Sequence, residues 1–252
     1  MTSRRAHTNK KVPRVLSALN AIKHWPSEQA RDWAYQAIPS LCEADNICAV
    51  VLFGSVVRNV TSATDLDVLY IYEGSAPTPI AAPIDVDIRK FERKDVEQLL
   101  ANGNDLISWC IKFGKRLCEH DQYWSELVHR WGNRVGLPSR EVALERAKKS
   151  ETLLRDVASR GDSDAALELY LSLLTHVARS VLVEHGSYPA SRPELVGQLR
   201  QVGEDKLASY LNEAIAERNA AVHGARKARK DIWRAFLNEW NVQPLTANSD
   251  RK

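Results

Sequence analysis

The sequence lacks any apolar run approaching the roughly 20 residues that a bilayer-spanning helix requires, so no membrane segment is expected. It is poor in cysteine. Cys42, Cys48, Cys110 and Cys118 are scattered, with no CxxC spacing and no companion histidine cluster, which argues against a zinc site or a disulfide framework. Reduced thiols in the cytoplasm are the expectation. Charge of one sign is also scarce: the formal net charge of +3 is too small to argue for a nucleic-acid partner by itself. Met1 to Lys11 is basic but has no apolar stretch of the kind a secretory signal carries, and is expected to be a disordered tail. Repeats and low-complexity segments are missing too.

What is present is a composition able to build a core, 44% hydrophobic and 27% charged over 252 residues. Its patterning changes halfway along. Val12 to His24 and Ser27 to Glu43 read as helices, the second expected to kink or shorten at Pro39. Ile47 to Phe53 is a nearly continuous apolar run, as in a buried strand, and Gly54-Ser55 ends it. Asp65 to Tyr72 and Ile84 to Phe91 alternate as strands around a Pro-rich loop from Pro77 to Pro83. Arg93 to Asn102 and Asp105 to Phe113 look helical, Lys115 to Cys118 extended, and Gln122 to Trp131 helical.

Gly132 to Ser139, with two glycines and a proline, reads as a linker. Beyond it only helical patterns follow, stopping at Gly161, Gly186, Gly203 and Gly224, with a last helix from Arg229 to Trp240. Ser191 and Glu194 have capping-box spacing. The expected architecture is α+β: a mixed sheet flanked by helices over residues 12–134, then an all-α bundle over 135–242. Trp124, Trp131, Trp233 and Trp240 are expected as core or interface anchors. The cluster Arg226, Lys227, Arg229 and Lys230 is expected as a solvated helix start, and His176 and His185 lack ligand partners at metal-binding spacing.

The chemistry-bearing residues concentrate in the first half. Side chains at i and i+2 of a strand share a face, so Asp65 and Asp67 point one way while Leu66, Val68, Tyr70 and Tyr72 point the other. The next strand repeats this with Asp85, Asp87 and Arg89 opposite Ile84, Val86 and Ile88. Should the two strands pair, three or four carboxylates converge, and their repulsion calls for cations between them. Oxygen-only ligands of this kind suit magnesium shared with substrate phosphates. Gly54 lets backbone approach a triphosphate, Ser55 adds a hydroxyl, and Arg58 lies on the same turn.

The run Val51-Leu52-Phe53-Gly54-Ser55, followed by Thr64-Asp65-Leu66-Asp67-Val68, resembles the nucleotidyltransferase superfamily that includes DNA polymerase beta. Its pattern is an apolar strand, Gly-Ser, a spacer of about ten residues and Asp-x-Asp, with a third Asp on a later strand. The resemblance covers residues 45–120. It implies that Asp65 and Asp67 bind two magnesium ions, that Gly54, Ser55 and Arg58 contact the nucleotide, and that Asp87 is the third carboxylate and the base. Asp85 remains an alternative on the same face. The spacer is one residue shorter than in many small bacterial members, and Asn59-Val60 replaces a commonly glycine-containing turn.

The helical half, from Tyr170 to Gly186 and on through Ser191-Arg192-Pro193-Glu194-Leu195, resembles HEPN domains. Such domains accompany minimal nucleotidyltransferases, and related ones close the active site of antibiotic-modifying enzymes. Arg218 to His223 matches the Arg and His of HEPN ribonucleases. On an ideal helix these two lie about 140° apart, so their convergence needs a distorted helix end or a homodimer interface. Ala225 stands where toxin–antitoxin members carry a modifiable Tyr.

The expected activity is magnesium-dependent transfer of AMP from ATP to an acceptor hydroxyl, with release of pyrophosphate. The acceptor would be a small antibiotic such as an aminoglycoside or lincosamide, or a protein. The alternatives are a ribonuclease acting on RNA through Arg218 and His223, with a regulatory nucleotidyltransferase half as in a toxin–antitoxin fusion, and a non-catalytic nucleotide sensor.

Overall fold

The computed structural model describes residues 11–58, 63–222 and 232–240. The basic tail before Lys11, Asn59-Val60, His223, Ala225 and the Arg226–Lys230 cluster therefore lie outside the described residues. The chain divides into two compact units, Met1–Pro138 and Ser139–Lys252.

The first unit opens with helices α1 (Lys11–Asn20) and α2 (Glu28–Glu43). Ser27 caps α2, its Oγ accepting the Ala30 N–H at 3.0 Å. α2 is not shortened at Pro39 but continues to Glu43. The lost backbone bond is outweighed by the face that carries Ala34, Ala37, Ile38, Leu41 and Cys42 into the core, where all are at most 4% exposed.

Strand β1 (Ile47–Phe53) is buried along its whole length. Ile47, Val50 and Leu52 pack with α1 and α2 on one face, while Ala49, Val51 and Phe53 pack on the other, which explains the unbroken apolar run. The short helix α3 (Gly54–Val57) follows, then β2 (Leu66–Tyr72) and β3 (Val86–Glu92). Helices α4 (Arg93–Ala101) and α5 (Asp105–Phe113), strand β4 (Lys115–Glu119) and helix α6 (Tyr123–Trp131) complete the unit. Leu69, Ile71, Val96, Ile107, Trp124 and Leu127 fill the core beneath α4 to α6, with Trp131 packed against it.

The sheet is mixed, in the order β3-β2-β1-β4. β1 is antiparallel to β2 and β4, whereas β2 and β3 are parallel. A parallel pair needs a crossover, and the Pro-rich segment supplies it. That segment is pinned by the Tyr70 hydroxyl, which donates to the Pro77 carbonyl, and by Trp33 Nε1, which donates to the Ile80 carbonyl, both at 3.0 Å. The crossover also corrects the expected strand start. Ile84 does not join the alternation; it lies in the turn before β3, wholly exposed at 105%.

The expectation of reduced thiols fails for two cysteines. Cys42 in the last turn of α2 and Cys118 on β4 form a disulfide, their Cα atoms 5.9 Å apart across 76 residues of sequence. Packing α2 on the face that β4 shares brings them together, which spacing along the chain could not show. Cys48 and Cys110 are free and buried.

The second unit contains α7 (Arg140–Ser159), α8 (Ser163–Glu184), α9 (Arg192–Gln201), α10 (Asp205–Val222) and α11 (Ile232–Trp240). Ser139 and Asp162 cap α7 and α8, accepting the Val142 and Ala165 N–H groups at 3.1 Å. Glu194 reaches back to the Ser191 N–H at 3.2 Å, in line with the capping-box spacing. Tyr170, Leu174, Leu182, Leu199, Leu211 and Trp233 are among the residues of one continuous core. Among the described residues, α8 is the helix long and apolar enough to cross a membrane by length and composition. Some 61% of that stretch is buried inside the protein.

Candidate active site

The paired strands determine which acidic residues meet. In the parallel β2–β3 register Asp67 lies opposite Asp87, and on the other side of Asp67 the antiparallel register places Phe53 of β1. Leu66, Val68 and Tyr70 face the α1–α2 core, so Asp67 points to the opposite face as its parity requires. Asp65 precedes β2 by one residue and is exposed. Asp85 precedes β3, where its backbone carbonyl accepts the Leu66 N–H at 2.8 Å. The Asp65 and Asp87 charges both act on the Asp67 carboxyl. The register therefore brings Asp87 rather than Asp85 to Asp67.

Three features show how charged this place is. Burial, reinforced by the neighbouring Asp65 and Asp87 charges and opposed by Arg89, pushes the Asp67 carboxyl up to about 8. Arg89, two residues beyond Asp87 on β3, donates from Nε (3.0 Å) and Nη2 (2.7 Å) to one oxygen of Asp87, Oδ2. Asp87 Oδ1 is thereby left for another partner. Burial also pushes the Cys110 thiol of α5 up, with Asp67 adding to the effect, and Cys110 packs in the same core cluster as Phe53, the strand partner of Asp67.

Gly54 forms the floor. It has φ +73°, and a Cβ built there would stand 1.9 Å from Asp67 Oδ2 and 2.9 Å from its Cγ. Backbone and carboxylate touch only because position 54 carries no side chain. Ser55 and Val56 continue into α3, and the Arg58 N–H closes the turn on the Ser55 carbonyl at 3.1 Å. The Arg58 guanidinium lies over the Phe113 ring, 5.1 Å from its centre.

Gly54, Ser55, Asp65, Asp67 and Asp87 therefore converge at one end of the sheet. Their donor chemistry fits a hard divalent cation: oxygen ligands only, with a buried carboxylate whose ionisation is opposed by two like charges. Among the described residues no three acidic, histidine or cysteine side chains already form a ready metal cage. Asp87 is instead turned toward Arg89, which supplies a local positive charge.

Of the two candidate residues in the helical unit, Arg218 is among the described residues. Arg218 Nε donates to Glu168 Oε1 at 2.7 Å, so its guanidinium is engaged in an ion pair between α10 and α8, and His223 lies outside the described residues. Sequence reasoning overlooked the half-buried pair Trp109 and Phe113. Their i, i+4 spacing on α5 was the available signal. A cavity of about 320 Å³, lined by residues including Cys48, Glu73, Arg93, His120 and Tyr123, opens at the far end of the sheet from the carboxylates.

No protein-family model matches the chain, and no curated protein does. Among solved structures it is similar to a nucleotidyltransferase-like protein from Exiguobacterium sibiricum 255-15. That likeness has 15% identity and a TM-score of 0.35, over 89% of this chain and 81% of the other. A resemblance so distant leaves the reading to the residues themselves.

Proposed function

We propose that the sheet unit transfers a nucleoside monophosphate, AMP from ATP, to an acceptor hydroxyl. The observation that carries this reading is Asp67, held in register with Asp87 and pressed against a glycine that tolerates no side chain. Asp65, Asp67 and Asp87 would hold magnesium, which when bound offsets their repulsion and polarises the triphosphate.

The remaining steps belong to the chain itself. Gly54 and Ser55 present backbone and hydroxyl to the phosphates. Arg89 fixes one oxygen of Asp87, and the other, Oδ1, accepts the proton of the acceptor hydroxyl. The acceptor oxygen bonds to the α-phosphorus, the bond from that phosphorus to the bridging oxygen breaks, and pyrophosphate leaves. A small antibiotic or a protein side chain would serve as acceptor.

Incubation with α-labelled ATP, magnesium and a panel of aminoglycosides, lincosamides and proteins tests the reading. Label should pass to an acceptor, and the Asp65→Asn plus Asp67→Asn variant should lose transfer by at least about a thousandfold, an order set by removing the groups that stabilise the reacting phosphate. Undiminished transfer in that folded variant would end the proposal.

A further inference from the structure

At the end of the sheet opposite the carboxylates, β1 begins at Ile47 and β2 ends at Tyr72, while α4 begins at Arg93 and α6 at Tyr123. The cavity of about 320 Å³ lies there and shares no lining residue with Gly54, Ser55, Asp65, Asp67 or Asp87. The Cys42–Cys118 bridge joins the chain just ahead of the two turns that carry Asp45 and His120. His120 Nε2 also stands 3.3 Å from the Cys42 carbonyl. Two walls of the cavity are thereby tied together.

Its floor is closed: Ile47, Cys48 and Tyr123 are at most 8% exposed. Arg93 lies over the Tyr123 ring, 5.0 Å from its centre, and its Nη1 donates to Glu73 Oε2 at 3.2 Å. The Tyr123 hydroxyl itself is buried and has no hydrogen-bond partner among the described residues. Folded proteins rarely leave such a group unmatched. Burial, reinforced by Cys48, pushes the phenol up to about 12, so it keeps its proton and donates. Toward solvent, the exposed Asp45 and Asp121 add two negative charges beyond the Arg93–Glu73 pair. Asp121 is held there by a turn in which it and Gln122 have φ of +49° and +57°, a backbone that residues with side chains rarely adopt.

We propose that this cavity binds a free α-amino acid, its carboxylate received by the Tyr123 hydroxyl and the Arg93 guanidinium, its ammonium by Asp45 and Asp121. The buried phenol needs an acceptor, and an anion beside Arg93 supplies one. A purely anionic ligand would meet the two further acids, and a purely cationic one would meet Arg93. A molecule with both charges on one carbon suits each end. The volume is at the small end of ligand pockets, which run from about 300 to 1,000 Å³. The site stands at the opposite end of β1 from Gly54, apart from the transfer chemistry.

Calorimetric titration of the full chain with the set of free L-α-amino acids tests it. One or more should bind. The methyl ester and the N-acetyl derivative of each binder keep only the ammonium or only the carboxylate, and each should bind more weakly by about tenfold or more. Tyr123→Phe should weaken the amino acid by about fivefold and leave the ester unchanged. Asp121→Asn should weaken the amino acid and spare the N-acetyl derivative. Melting temperatures verify folding, and the exposed Asp121 keeps the test decisive if Tyr123→Phe does not fold. Asp65→Asn plus Asp67→Asn should bind the amino acid as the wild type does, which separates this site from the transfer reading. Failure of every amino acid to bind overturns the site, as does an ester or N-acetyl derivative that binds as tightly as its parent. Unchanged affinity in either folded cavity variant, or lost affinity in the Asp65 and Asp67 variant, overturns it too.

Discussion

Two glycines with left-handed backbones show how the units differ. Gly54 in the sheet unit has φ +73°, and Gly203 after α9 has φ +84°. Around Gly203 an added Cβ meets nothing within 4 Å, whereas at Gly54 it collides with the Asp67 carboxylate. The first serves the chain path alone. The second also makes room for a charged group that burial and two neighbouring acids destabilise. The helical unit holds a conflict of its own at His176, which burial and three arginines press toward the neutral form, but the sheet unit sets its conflict among oxygen-donor side chains beside a glycine, where a cation could resolve it.

The sharpest way to break this comparison is to give both glycines the same methyl group. Gly54→Ala should cut nucleotidyl transfer by about a hundredfold or more, since displacing a reacting group by about 1 Å costs that much. Gly203→Ala should cost only the left-handed backbone penalty of about 1–2 kcal/mol and leave transfer unchanged. Assays of transfer and thermal melting on both variants decide it. Similar activity in the two would mean that Asp67 does not need the space Gly54 leaves.

Reduction probes the same contrast through covalent structure. The Cys42–Cys118 bridge closes a long loop around β1, β2 and β3, and among the described residues the helical unit has no counterpart. Dithiothreitol, or Cys42→Ser with Cys118→Ser, should remove about 2–4 kcal/mol of stability. Hydrogen exchange followed by mass spectrometry should localise the loss to α2 and β4, with α8 unaffected. Equal loss of protection in α8 would show that the units do not respond separately.

The two units also differed in how far they could be read. Helix ends at Gly161, Gly186 and Gly203 were legible because a positive φ at a helix stop is a local demand that glycine meets at once. The facing of Asp67 away from Leu66 and Val68 was legible because strand parity is local too. Parity could not separate Asp85 from Asp87, since both have the same one. The choice follows from where β3 begins, and that depends on a crossover pinned by Trp33 and Tyr70, remote in sequence from the turn they govern. The disulfide was illegible for the same reason, as was the half-exposed state of Trp109 and Phe113, which depends on how α5 seats against β1. Local chemistry showed; long-range closure did not.

The smallest expected effect concerns protons, and there the units should behave oppositely. Asp67 has its ordinary value, about 3.9, raised to about 8 in the fold. The folded chain therefore holds an extra proton between those values, so this contribution is fully present below about pH 4 and is lost as pH climbs through 8. His176 in α8 is pushed the other way, to about 4, first by burial and then by Arg179, Arg146 and Arg192. Its contribution is present above the ordinary histidine value of about 6.5 and is lost as pH falls through 4. Melting in chelator from pH 4 to 9 should show both slopes. Asp67→Asn should flatten the alkaline one, gaining about 2 kcal/mol at pH 9 while abolishing transfer, and His176→Gln should flatten the acidic one by about 1 kcal/mol, after allowance for partial screening by solvent. Slopes that persist in both variants would place the titrating groups elsewhere and remove the electrostatic half of the contrast.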